Sequence, residues 1–133
     1  MKDMDKTEFQ VKMSFYIMAK AFEEIAKVDE EFQEDLEDIE GVIQWNIGNF
    51  RAYLSFEEGK YSFVMDEEAK DPDVTMILED IDFARQFFSG EVDGTSAYMS
   101  GDLKIEGNLQ LTMTYGSLAE YLGDYLALLR PEK

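Results

Sequence analysis

The stretch YMSGDLKIEGNLQLTMTYGSL, Tyr98–Leu118, decides how the rest of the chain is read. Gly101 and Gly107 bracket a short strand, DLKIEG, and Asn108 is placed to cap a helical region that opens with LQLTMTY. Just upstream, TSAYMSG reads as a brief turn of helix. Ser117–Glu120, SLAE, forms a capping box and predicts a further helix ending near Arg130 and Pro131. That tail carries Leu118, Tyr121, Leu122, Tyr125 and Leu129 at helical spacing. It reads equally as a lid, a dimer contact or an extension of the core. The segment as a whole gathers leucine, methionine and tyrosine and offers almost no reactive chemistry.

Working back toward the N-terminus, EDIDFARQFFSGE reads as a short helix capped by Asp80 and closed by Gly90, with Ile81, Ala84, Phe87 and Phe88 inward. VTMIL, after the loop EEAKDPD, is a buried fourth strand. Before it, Ile43, Trp45 and Ile47 alternate with Gln44 and Asn46, and Phe50, Ala52, Leu54 and Phe56 alternate with Arg51, Tyr53 and Ser55. This period of two predicts antiparallel strands, and the turn EEGK leads to a third strand with Tyr61, Phe63 and Met65 on one face. A capping box at Thr7–Gln10 predicts the start of the first helix, whose stripe Val11, Phe15, Met18, Phe22 and Ile25 packs on the fold. Phe9, Met13, Tyr16 and Ile17 fall on its other side, where a covering loop, a dimer contact or a ligand wall would bury them.

Composition narrows the chemistry. The 133 residues suit one domain, and 45% hydrophobic content excludes disorder. With no histidine and no cysteine, the usual nucleophile and base pairs, most zinc and copper sites and all disulfides are excluded. A formal charge of -18 disfavours nucleic acid and weighs against contact with anionic membranes, unless Lys12, Lys20 and Lys104 form a local basic patch. The acidic run DEEFQEDLEDIE, Asp29–Glu40, reads as a short helix with a solvated face, or as a docking patch for a basic partner. The charged start MKDMDKTEF and the absence of any long apolar run give the expectation of a soluble, cytoplasmic protein. Asp71, Asp73, Glu79, Asp80 and Asp82 lack the spacing of a calcium loop, and loop and capping roles account for them.

Four features together resemble the sterol carrier protein family, the domain also called non-specific lipid transfer protein. They are the strand VIQWNIG, the pattern DPDVTMILEDIDFARQFFSGE, the turn TSAYMSG and the run GDLKIEGNLQL. The likeness covers about residues 10 to 118 of a single domain spanning 1 to 133, with the helical extension at 117 to 130 added. It implies an α+β fold with a five-stranded, largely antiparallel sheet, helices covering one face, and a hydrophobic tunnel between the layers. The implied ligand is a fatty acid, acyl chain or sterol-like molecule, and no cofactor is implied. The residues placed on that tunnel are Trp45, Phe83, Phe87, Phe88, Tyr98, Met99, Ile105, Leu109, Leu111, Met113, Tyr115, Leu118 and Leu122. In this reading Leu109, Leu111, Met113 and Tyr115 all hang from the helix into the cavity, where methionine adapts to ligands of differing shape.

The resulting expectation is a non-enzymatic lipid carrier that hands its ligand to a protein partner or a membrane. The alternative is an accessory or dimerising module for an enzyme on another chain. A third reading, a small isomerase or hydratase, would need Asp82 with Tyr98 or Tyr115 to move a proton. An aspartate in the first turn of a helix is better explained by the helix dipole.

Overall fold

In the computed structural model, residues 6–129 are described. The first helix, α1 (Lys6–Val28), buries Val11, Phe15, Ala19, Phe22 and Ile25, a stripe at intervals of four and three. Thr7 lies within the described part of this helix instead of preceding it. Helix α2 (Glu30–Leu36) follows, capped by the Asp29 carboxylate, which accepts the Phe32 N–H. Its acids face water while Phe32 and Leu36 are buried.

The sheet comprises β1 (Gly41–Ile47), β2 (Phe50–Glu57), β3 (Lys60–Met65), β4 (Val74–Leu78) and β5 (Lys104–Gly107), in the order β3-β2-β1-β4-β5. Every pairing is antiparallel except β1 with β4, which is parallel. The register puts Trp45 opposite Ala52 on one side and Met76 on the other, and Met76 opposite Ile105. Strand alternation then places Ile43, Trp45, Ile47, Leu54, Val74 and Leu78 on one apolar face.

Three further helices complete the chain: α3 (Ile81–Phe88), α4 (Gly94–Ser100) and α5 (Leu109–Leu129). Asp80 caps α3, and Gly90, with φ of +89°, lies beyond its end. The two helices expected after β5 are one. Ser117 lies in mid-helix, its hydroxyl turned back toward the Met113 carbonyl. A capping serine needs extended backbone, and the continuous inner stripe Leu111, Tyr115 and Leu118 holds the chain helical instead. Leu129 falls among the residues whose side chains are not described. Among the described residues no helix is long and apolar enough to cross a membrane.

Candidate functional site

Trp45 sits at the middle of the central strand and is 2% exposed. Rings from three helices close on it. Phe15 of α1 meets it edge-on at 5.8 Å, Phe87 and Phe88 of α3 lie at 6.3 and 5.6 Å, and Tyr115 of α5 lies at 6.4 Å. Ala52, directly opposite on β2, leaves room for the indole. The aromatic network runs on from Tyr115 to Phe22 and Phe56, and from Phe22 to Phe32. Where the resemblance implied a tunnel, these rings meet one another.

Nine of the thirteen expected residues belong to this layer or pack against it: Trp45, Phe83, Phe87, Phe88, Ile105, Leu111, Tyr115, Leu118 and Leu122. The other four, Tyr98, Met99, Leu109 and Met113, are exposed, Met99 and Met113 most of all at 79% and 69%. The reason lies in helical geometry. Residues two apart project about 200° from each other on a helix, so Leu111 and Tyr115 face inward while Leu109 and Met113 face out. Sequence reasoning also missed Phe15 and Met18 as site residues, since their spacing on α1 signals only packing. That they meet Trp45 and Tyr115 across the layers is a tertiary fact.

Helix α3 is lightly seated: Ala84 is its one fully buried residue, and Ile81, Phe83, Phe87 and Phe88 are half-buried. The phenol of Tyr115 is enclosed, and burial pushes its pKa well above the ordinary value, with the nearby Trp45 N–H acting weakly the other way. The hydroxyl donates to the Met18 sulfur at 3.9 Å. That indole N–H is buried and reaches no partner with hydrogen-bond geometry. Asp82 and Tyr98 are both exposed, which removes the burial that a proton-transfer pair would require.

Two clefts lie away from Trp45. One of about 420 Å³ is lined by Val42, Tyr53 and the loop from Glu67 to Asp71. Another of about 210 Å³ lies between Asp35 and Asp38 on one side and Thr114, Ser117 and Leu118 on the other. The lysines considered above as a basic patch are each engaged by an acid: Lys12 by Asp66 at 2.9 Å, Lys20 by Glu23, and Lys104 by Glu79 at 3.5 Å. The outer side of α1 is uncovered among the described residues, with Phe9, Met13, Tyr16 and Ile17 between 45% and 56% exposed. Tyr16 still touches Phe63 of β3 edge-on.

The far half of α5 is fastened to α2. Tyr121 donates to Asp35 and Tyr125 to Asp29, each at 2.6 Å. The Tyr125 hydroxyl, with the Phe32 N–H, holds the Asp29 carboxyl below the usual range, and the same bond raises the Tyr125 pKa. The Asp35 carboxylate pushes Tyr121 up to about 12. The Asp29 contribution is complete above the ordinary aspartate range and lost as pH falls through its depressed value. The tyrosine contributions are complete below about 10 and are lost as pH climbs through the raised values. We therefore expect Tyr121→Phe with Tyr125→Phe to lower the melting temperature by a few degrees at neutral pH. The gap from the parent should narrow at both extremes, as read by melting curves across pH.

Residues 22–120 match the model of the SCP-2 sterol transfer family. No match is found among curated proteins. Among solved structures, the chain resembles the sterol carrier protein domain 2 of Helicoverpa armigera with a TM-score of 0.63 and 23% identity, covering 90% of this chain and 92% of that one. It resembles a UbiJ-SCP2 ubiquinone synthesis protein with a TM-score of 0.58 and 18% identity, over 80% and 95% of the two chains. It also resembles part of the inverting sec-alkylsulfatase Pisa1 from Pseudomonas sp., with a TM-score of 0.54 and 16% identity over 65% of this chain. There it spans only 14% of the neighbour's length. These likenesses concern the fold, with its mixed five-stranded sheet under helices. With most of its length matched by the family model, the chain belongs to the SCP-2 sterol transfer family.

Proposed function

We propose that the protein binds and carries lipids without catalysing their conversion, taking a fatty acid, acyl chain or sterol-like molecule between the sheet and the helices. The observation that carries this reading is the combination at Trp45. An aromatic layer is closed on one side by α3, whose one fully buried residue is Ala84 and whose Phe87 and Phe88 rest half-buried against Trp45. An alkyl chain that displaces Phe87 and Phe88 exchanges ring contacts for its own at little net loss, while each of its methylenes leaving water contributes about 0.8 kcal/mol. Of the thirteen residues named from the sequence, the nine in or against this layer are the proposed contacts; the exposed four serve the outer surface.

The test is titration with a fluorescent fatty acid. The reading expects saturable binding at one site, displacement by unlabelled lipid, and a rise in stability of about 2.7 kcal/mol when free lipid exceeds its dissociation constant a hundredfold. Phe88→Ala should weaken binding, and binding unchanged by it would place the ligand elsewhere.

A second reading, an accessory module that docks on a lipid-metabolising enzyme, is favoured by the uncovered apolar side of α1 and by the fold's occurrence as a small part of the alkylsulfatase chain. Under it the protein would co-purify with a partner and Ile17→Glu would release that partner.

A further inference from the structure

We infer that Trp45 and Tyr115 form a seat of two hydrogen-bond donors for one neutral oxygen, a carbonyl or a hydroxyl, at the leading end of an otherwise apolar lipid. The inference rests on the lipid-carrier reading and specifies the chemistry of the ligand.

A buried donor without an acceptor is costly, because it has given up water and received nothing in exchange. Phenylalanine would fill a core position without that cost. The Trp45 Nε1 nonetheless lies buried without an acceptor in good hydrogen-bond geometry: it faces the Tyr115 hydroxyl at poor geometry and is otherwise surrounded by the rings of Phe15, Phe87 and Phe88, none of which accepts well. The second donor is next to it. As a donor the Tyr115 hydroxyl reaches the Met18 sulfur at 3.9 Å, a weak acceptor that it can leave by turning about its C–O bond. Tyr115 and Trp45 come from opposite layers, α5 and β1, with ring centroids 6.4 Å apart, so one oxygen seated between them would accept from both. An oxygen with two lone pairs satisfies two donors.

The surroundings also select the charge of that oxygen. The one buried polar or charged residue among those described is Gln44, whose neighbour in the strand is Trp45 but whose side chain faces the opposite side of the sheet. Its amide is already engaged there by Asn46 and by the Ala69 N–H. Among the described residues no lysine or arginine is buried to balance a carboxylate, and an unpaired anion in such a layer is strongly disfavoured. A ketone, alcohol or ester group therefore fits this seat where a carboxylate does not, and a fatty acid would enter with its alkyl end leading and its carboxylate outside.

Trp45 is the protein's single tryptophan, so its indole N–H gives one assignable NMR signal. Dodecane, dodecanol, a dodecanone and dodecanoate are the probes, with affinity measured by displacement of the fluorescent fatty acid. The expected result is binding of dodecanol and dodecanone about tenfold or more tighter than dodecane, each moving the indole proton downfield while dodecane does not. Tyr115→Phe should bring the affinities of the oxygenated probes toward that of dodecane measured on the same variant. Equal binding of all the probes, or an indole signal indifferent to the oxygen, overturns the inference and leaves the carrier reading standing. Dodecanoate that outbinds dodecanone and moves the signal further overturns the preference for a neutral oxygen. Failure of every probe to bind overturns both.

Discussion

Gly107→Ala lowers the free energy of unfolding by about 4 kcal/mol, whereas Gly101→Ala lowers it by about 1 to 2 kcal/mol. Both glycines have φ in the left-handed half of the map, at +117° and +88°. Space separates them. An added Cβ at Gly101 meets nothing within 4 Å, so only the backbone preference is lost. At Gly107 the same atom would lie 2.3 Å from the Asp73 carbonyl oxygen and 3.0 Å from the Val74 Cα. Neither can retreat easily, because Asp73 is held on several sides. Its carbonyl accepts the Asn108 N–H at 3.0 Å, its N–H donates to the Val42 carbonyl at 2.9 Å, and its carboxylate accepts the Val42 N–H at 2.8 Å. Moving it therefore disturbs the pairing of β4 with β5, the edge of β1 and the cap that starts α5, at about 1 kcal/mol for each hydrogen bond. Denaturant unfolding of the two variants measures the difference, and equal losses would contradict this account of the turn.

Phe15→Ala costs about 3 to 5 kcal/mol and lowers the melting temperature by roughly 12 to 20 °C. Phe15 has no exposed surface and packs edge-on against Trp45, Phe50 and Phe88 at 5.5 to 5.9 Å. It joins α1 to the sheet and to α3 at once, so its removal opens a cavity that no single neighbour can fill. Against a total stability of about 5 to 15 kcal/mol, such a loss is a large fraction. Phe9→Ala, on the exposed side of the same helix, should change stability by about 0.5 kcal/mol or less, which separates the role of burial from that of helix propensity. Thermal and denaturant unfolding of both variants checks the pair of values.

The strands were legible in the sequence because a period of two with one buried face leaves few registers open. Ile43, Trp45 and Ile47 could not slip by one residue without turning into water. Caps were legible where the geometry is local, as at Asp80 and Asn108, whose carboxylate and amide oxygens accept N–H groups two or three residues on. The capping box at Ser117 misled for the same local reason: nothing within four residues reveals that Leu111, Tyr115 and Leu118 dock as one stripe. Burial of the candidate site residues was legible only in part. Alternation read from a strand was carried onto α5, which assigned Leu109 and Met113 to the interior that they do not face. Whether aromatic residues meet one another or surround a void depends on the distance between layers, which is a tertiary property that no local spacing encodes.

The central claim, that this chain carries lipid between its sheet and helices, is tested most directly by native mass spectrometry of the protein as isolated from cells. The account predicts a species heavier than the polypeptide by the mass of one lipid, which disappears on organic extraction and is much reduced in Phe88→Ala. A spectrum of the bare chain alone, unchanged after incubation with fatty acids, alcohols and sterols, would contradict it.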